Sequence, residues 1–146
     1  MSELFNKILI ATDGSKYSQK AVQEGLAIAR FHKAKVYALY VIDTMAFATA
    51  TGMPAPENLY DVLEDEGKKA VQRVKDEAQG VDVEPVVLTG HPSSEIVGFA
   101  KNNQVDLIVT GSLGKSGIEE LLLGSVADKV IRTAACPVLV VKAQRK

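Results

Sequence analysis

Cysteine is nearly absent. Cys136 stands alone in 146 residues, so no disulfide can form within the chain, and its place beside Pro137 fits a small buried apolar residue. Histidine is scarce too: His32 and His91, taken with Cys136, are scattered too widely for a zinc-ligand spacing. No stretch approaches the roughly 18 consecutive apolar residues of a membrane span, and Met1 to Lys7 lacks a basic region followed by a long apolar run. The expected location is therefore the cytoplasm, away from any membrane. An excess of charge is also missing, since 17 Lys and Arg against 18 Asp and Glu give a formal net charge of -1. That balance offers no field for holding nucleic acid or anionic lipid, so the expected partner is a small molecule or another protein. Internal repeats and low-complexity tracts are absent.

What remains is an ordinary globular composition, 47% hydrophobic and 24% charged. Residues 1–146 are expected to form one domain, and a chain of that size buries roughly 68–70% of its unfolded surface without a staple. Short apolar runs alternate with helical patterns, the signature of βα units around a parallel sheet. The runs are Ile8 to Ile10, Val36 to Ile42, Val83 to Leu88, Leu107 to Val109 and Val138 to Val141, and their near-continuous apolarity predicts strands covered on both faces. Pro85 cannot donate a ladder hydrogen bond and sends the third run to a sheet margin.

Between the runs, Ala21, Val22, Gly25, Leu26 and Ala29 share one helical face after Ser15 or Ser18 as N-cap. Leu59, Leu63, Gly67, Ala70, Val74 and Ala78 mark a longer helix that starts near Pro56 and Glu57 and stops before Gly80. Pro92 opens a third helix carrying Ile96, Val97 and Ala100, and Val126, Val130 and Ile131 form the inward face of a fourth. Asp43 to Pro56 has no sustained period and reads as a mobile loop. It lies on the rim where open α/β sheets bind ligands, which leaves two readings, a lid or a variable surface connection.

The residues that carry chemistry cluster after the fourth run. A buried strand empties into Gly111, Ser112, Leu113, Gly114, Lys115, Ser116 and Gly117. Gly111 and Gly114 let backbone N–H groups approach an anion with no Cβ in the way. After nine intervening residues Gly114 is followed by Gly124, Ser125 and Val126 at the start of the fourth helix, where free N–H groups and the positive end of the helix dipole form a second anion site. Lys115 is either a phosphate contact or a solvated lysine. Asp13 ends the first strand and either shapes the turn into Gly14 and Ser15 or accepts bonds from ribose hydroxyls.

Gly-x-x-Gly, nine residues, then Gly-Ser closely resembles the ATP-binding branch of the universal stress protein family. The resemblance extends to Lys7 through Asp13 and to Cys136 through Val141, and so covers nearly the whole chain. It implies a three-layer αβα fold, an open parallel five-stranded sheet of order 3-2-1-4-5, Rossmann-like and akin to the adenine nucleotide alpha hydrolases. It also implies ATP, with or without magnesium, across the crevice between the first and fourth strands. Ala11, Thr12 and Asp13 would border ribose and base, the backbone of Val41 would read adenine, and Gly111, Ser112, Gly114, Gly124, Ser125 and Val126 would hold phosphate. A homodimer joined through strand 138–141 follows from the same resemblance and from the bare edge of a last strand. Two departures stand out: Ala11 replaces a frequent proline, and Leu113 a frequent histidine.

The resemblance makes the chain a nucleotide-dependent regulatory module of the stress response, which implies a further protein downstream that no motif identifies. The alternative is a weak ATPase or nucleotide transferase, with His91 as a base unless it merely starts a helix. A P-loop is excluded because its leading glycine would fall on Val109, and a dinucleotide fingerprint is missing from Thr12 to Lys16.

Overall fold

The apolar runs form strands because β-branched side chains favour extended backbone and each face of the sheet finds an apolar layer to cover it. In the computed structural model, which describes residues 4–112 and 123–142, the strands are β1 (Lys7–Ala11), β2 (Lys35–Ile42), β3 (Asp82–Thr89), β4 (Leu107–Gly111) and β5 (Val138–Val141). They make one five-stranded sheet in the order β3-β2-β1-β4-β5, and every pairing is parallel. The helices are α1 (Lys16–His32), α2 (Met45–Thr51), α3 (Leu59–Glu77), α4 (Pro92–Asn102) and α5 (Ser125–Thr133). Pro85 sits in the edge strand β3, as its missing N–H requires.

Strand alternation builds two cores. Ile8, Ile10, Val36, Ala38, Tyr40, Leu107 and Val109 pack with the buried faces of α1 and α3, whereas Leu9, Ala11, Tyr37, Leu39 and Ile108 pack with α4 and α5. The chain grows outward from β1 through β2 to β3, then crosses back to add β4 and β5 on the other side. Because parallel crossovers are right-handed, that reversal moves the connecting helices to the opposite face of the sheet. Asp106 fixes the return: its Oδ2 accepts the backbone N–H groups of Asn6 and Lys7 at 2.8 and 2.9 Å, while its own N–H donates to the Lys7 carbonyl at 2.8 Å.

Three helix expectations need correction. Residues 43–56 do not form a loop throughout, since α2 occupies Met45–Thr51; none of its residues is buried, so its apolar run had no core-facing period to reveal it. The long helix α3 begins at Leu59, with Pro56 left in the preceding turn, where its carbonyl accepts the Leu59 N–H. In α5 the buried residues are Ala127 and Val130, whereas Ile131 is 47% exposed. At about 100° per residue, a helix that points Val130 inward turns its neighbour toward solvent.

The contact between α3 and the sheet is close at Gly67, where an added Cβ would lie 2.5–3.0 Å from three atoms of the Tyr40 ring. Replacing Gly67 with valine should therefore overpack this layer and cost about 1–3 kcal/mol. The expected outcome is a lower urea midpoint at an unchanged slope.

Candidate functional site

The turn leaving β1 is held by a relay of hydroxyls. Gly14 N–H donates to Thr12 Oγ1 at 3.1 Å, and Ser18 Oγ donates to the Ser15 carbonyl at 3.0 Å. The remaining contact, 3.1 Å between Thr12 Oγ1 and Ser18 Oγ, must then use the threonine proton, because the serine proton is spent. Gly14 has φ +79, a conformation that glycine adopts at no steric cost. Asp13 stands on the open side of this turn. Its Oδ1 accepts both the Ser15 N–H at 2.9 Å and the Ser15 hydroxyl at 2.6 Å, leaving Oδ2 outside these bonds. The turn-shaping reading of Asp13 is thus realised, and the same side chain lines a cleft.

That cleft exists because β1 stops before its neighbours. The β1–β2 pairing ends at Ala11 and Leu39, and the β1–β4 pairing at Ile10 and Val109, while β2 continues to Ile42 and β4 to Gly111. Backbone polarity past those points follows from alternation. The Leu39 carbonyl accepts from Thr12 N–H on the β1 side, and the Ile42 carbonyl accepts from Gly90 N–H on the β3 side, both at 2.9 Å. Val41 therefore turns its N–H and C=O toward the β1 side, beyond the last paired residue of β1. It presents one donor and one acceptor to the crevice.

The opposite wall comes from β4 and α5. Ser112 N–H donates to the Val141 carbonyl at 2.9 Å, and Gly124 N–H donates to the Ser112 carbonyl at 2.7 Å. The Gly124 N–H is consequently not free as expected. The groups that precede the first helical bond, from Asp128 N–H to the Gly124 carbonyl at 2.9 Å, belong to Ser125, Val126 and Ala127.

Together these elements enclose about 340 Å³, in the range of small-ligand sites. Ala11, Thr12, Asp13, Val41, Gly111, Ser112, Gly124, Ser125 and Val126 all line this volume. Gly114 and Lys115 lie outside the described residues. The cleft also recruits residues that sequence reasoning missed, among them Tyr40, Asp43, Leu63, Pro92, Ile96 and Thr110. Asp43 carried a usable signal: like Asp13, it is a carboxylate just past a strand. Leu63 and Ile96 read only as helix core residues, because periodicity does not distinguish a core face from a cleft wall.

His91 is exposed and occupies the N-cap position of α4 without a side-chain capping bond, its Nδ1 lying 3.1 Å from the Ser93 hydroxyl, which fits the helix-start reading. Cys136 is half-buried and packs on the α4–α5 core; burial pushes its thiol up from the usual value and Asp106 adds to the effect, the opposite of an activated nucleophile. Among the described residues no group of three or more His, Cys, Asp or Glu side chains is placed to hold a metal ion.

Residues 4–142 match the profile of the Universal stress protein family. The chain belongs to this family. Universal stress protein MJ0531 of Methanocaldococcus jannaschii is 45% identical, over 98% of this chain and 85% of that protein. The solved structure of MJ0577, a universal stress protein of the same organism, matches with a TM-score of 0.83 at 33% identity, covering 98% of this chain and 99% of the other. A universal stress protein crystallised in complex with cAMP matches with a TM-score of 0.70 at 28% identity, over 96% of this chain and 98% of that one. The family, and the 3-2-1-4-5 sheet that the resemblance to it implied, are therefore both established.

In this universal stress protein the Thr12 hydroxyl is buried and holds two partners. Thr12→Val keeps the shape but removes the acceptor of the Gly14 N–H, and should cost about 0.5–1.5 kcal/mol. The measurement is the shift in denaturant midpoint, with Ser18→Ala as the companion variant.

Proposed function

We propose that this chain is an ATP-binding regulatory module of the stress response, with the nucleotide lying across the crevice between β1 and β4. The observation that carries the reading is the Val41 peptide, whose donor and acceptor face a cleft of nucleotide size past the end of β1. An adenine edge matches that pair: ring N1 accepts from the Val41 N–H, and the amino group donates to its carbonyl. Asp13 Oδ2 is suited to ribose hydroxyls while Oδ1 holds the turn. The phosphates then reach Gly111, Ser112 and the first N–H groups of α5 at Ser125 and Val126, with Gly114 and Lys115 completing the binding set. The relative solved with cAMP supports an adenine nucleotide as the ligand class.

Binding is favoured over turnover because the candidate base His91 does not line the cleft and stands instead at the start of α4. A magnesium ion accompanying ATP would be held by phosphate oxygens and water, which that cation accepts readily. We assign the protein to the cytoplasm, where its nucleotide is found; no described helix is long and apolar enough to cross a membrane.

Gly124 has φ -62 and ψ 155, which any residue adopts, so its missing side chain matters for what must come close. Titration calorimetry should give a micromolar dissociation constant for ATP, about −8 kcal/mol, and folded Gly124→Val should show no binding. Undiminished affinity in that variant would overturn the phosphate assignment.

The same reading includes a homodimer through β5, the second edge of the sheet. Leu139 and Val141 already pack on the α1–α3 core and Val138 on the α4–α5 core, which leaves Val140 as the substitution least damaging to the fold. Sedimentation at low micromolar concentration should report a dimer for the native chain and a monomer for Val140→Lys.

A further inference from the structure

Asp43 is the first residue after β2, two positions beyond Val41, and lines the same cleft. Its Oδ1 accepts the N–H groups of Met45 and Ala46 at 3.1 and 3.2 Å, which ties the start of α2 to the end of β2. No residue of α2 is buried, and this carboxylate is one link between that helix and the end of β2. Oδ2 takes no part in either bond. A carboxylate can accept hydrogen bonds but cannot donate them.

We infer that Asp43 makes the cleft select a base carrying an amino group over one carrying a carbonyl at the same position; this rests on the nucleotide reading above. An exocyclic amino group has two N–H donors. The Val41 carbonyl satisfies one, and Asp43 Oδ2, on the same rim, satisfies the other. A 6-oxo base places an oxygen against these two acceptors and sets its ring N–H against the Val41 N–H. Sites built around such donors and acceptors discriminate strongly, because the wrong base leaves buried groups unpaired. Asp43 is thus a specificity residue, and through Oδ1 it also steadies α2 beside the bound base.

The test compares ATP with inosine triphosphate by calorimetry on the native chain and on Asp43→Asn. Asparagine keeps an oxygen for the α2 N–H groups but offers the cleft an amide donor. The native chain should prefer ATP by at least about tenfold, and Asp43→Asn should narrow that preference by about tenfold or more. A residue that only caps α2 would shift both affinities together, so an unchanged ratio overturns the assignment. A measurement on the native chain alone guards against a variant that fails to fold: N6-methyl-ATP keeps one amino N–H and should bind about tenfold more weakly than ATP. Equal affinity for the two overturns the role of Asp43, whereas failure of the native chain to bind either ATP or inosine triphosphate overturns the cleft reading itself.

Discussion

The handedness of parallel crossovers governs this molecule. Once β2 and β3 have been added to one side of β1, a chain that returns to the other side must move its helices to the opposite face. Beside β1 no helix can cover the strand ends from both faces at once, and the gap is the cleft. Asp106 stabilises that return, because a carboxylate accepting two backbone N–H groups from Asn6 and Lys7 ties the start of β4 to β1. The cleft is therefore a by-product of topology, which side chains then furnish.

Legibility in the sequence followed burial. Strands flanked by apolar layers announced themselves, and Pro85 located an edge through the hydrogen bond it cannot make. α2 stayed hidden because its residues face solvent and leave no period, although Asp43 held the necessary cap. Ile131 was misassigned because three apolar residues within one turn and a half cannot all point inward, and Ala127 proved the better core residue. At the cleft, glycines and strand-end polar residues were readable since their types are unusual there. The apolar walls supplied by Leu63 and Ile96 were not, since burial against a ligand and burial against a helix select the same side chains.

In the proposed site Asp13 and Asp43 combine two roles, and this shapes how substitutions should be interpreted. Asp13 and Asp43 each commit one oxygen to the backbone just beyond their strand, which fixes the carboxylate before any ligand arrives. Fixing a polar group in advance lowers the entropic cost of binding, so in the proposed site the turn bonds would support recognition and not compete with it. Alanine at either position removes both roles, whereas asparagine retains the local bond and isolates the ligand's share.

The 2.7 Å bond from Gly124 N–H to the Ser112 carbonyl has an entropic side. It closes the chain on itself at the base of the connection between β4 and α5, so the start of α5 is fixed to the end of β4. The entropy of closing a loop rises only slowly with its length. The long connection between these anchors therefore adds little to the cost of holding the start of α5 against the end of β4.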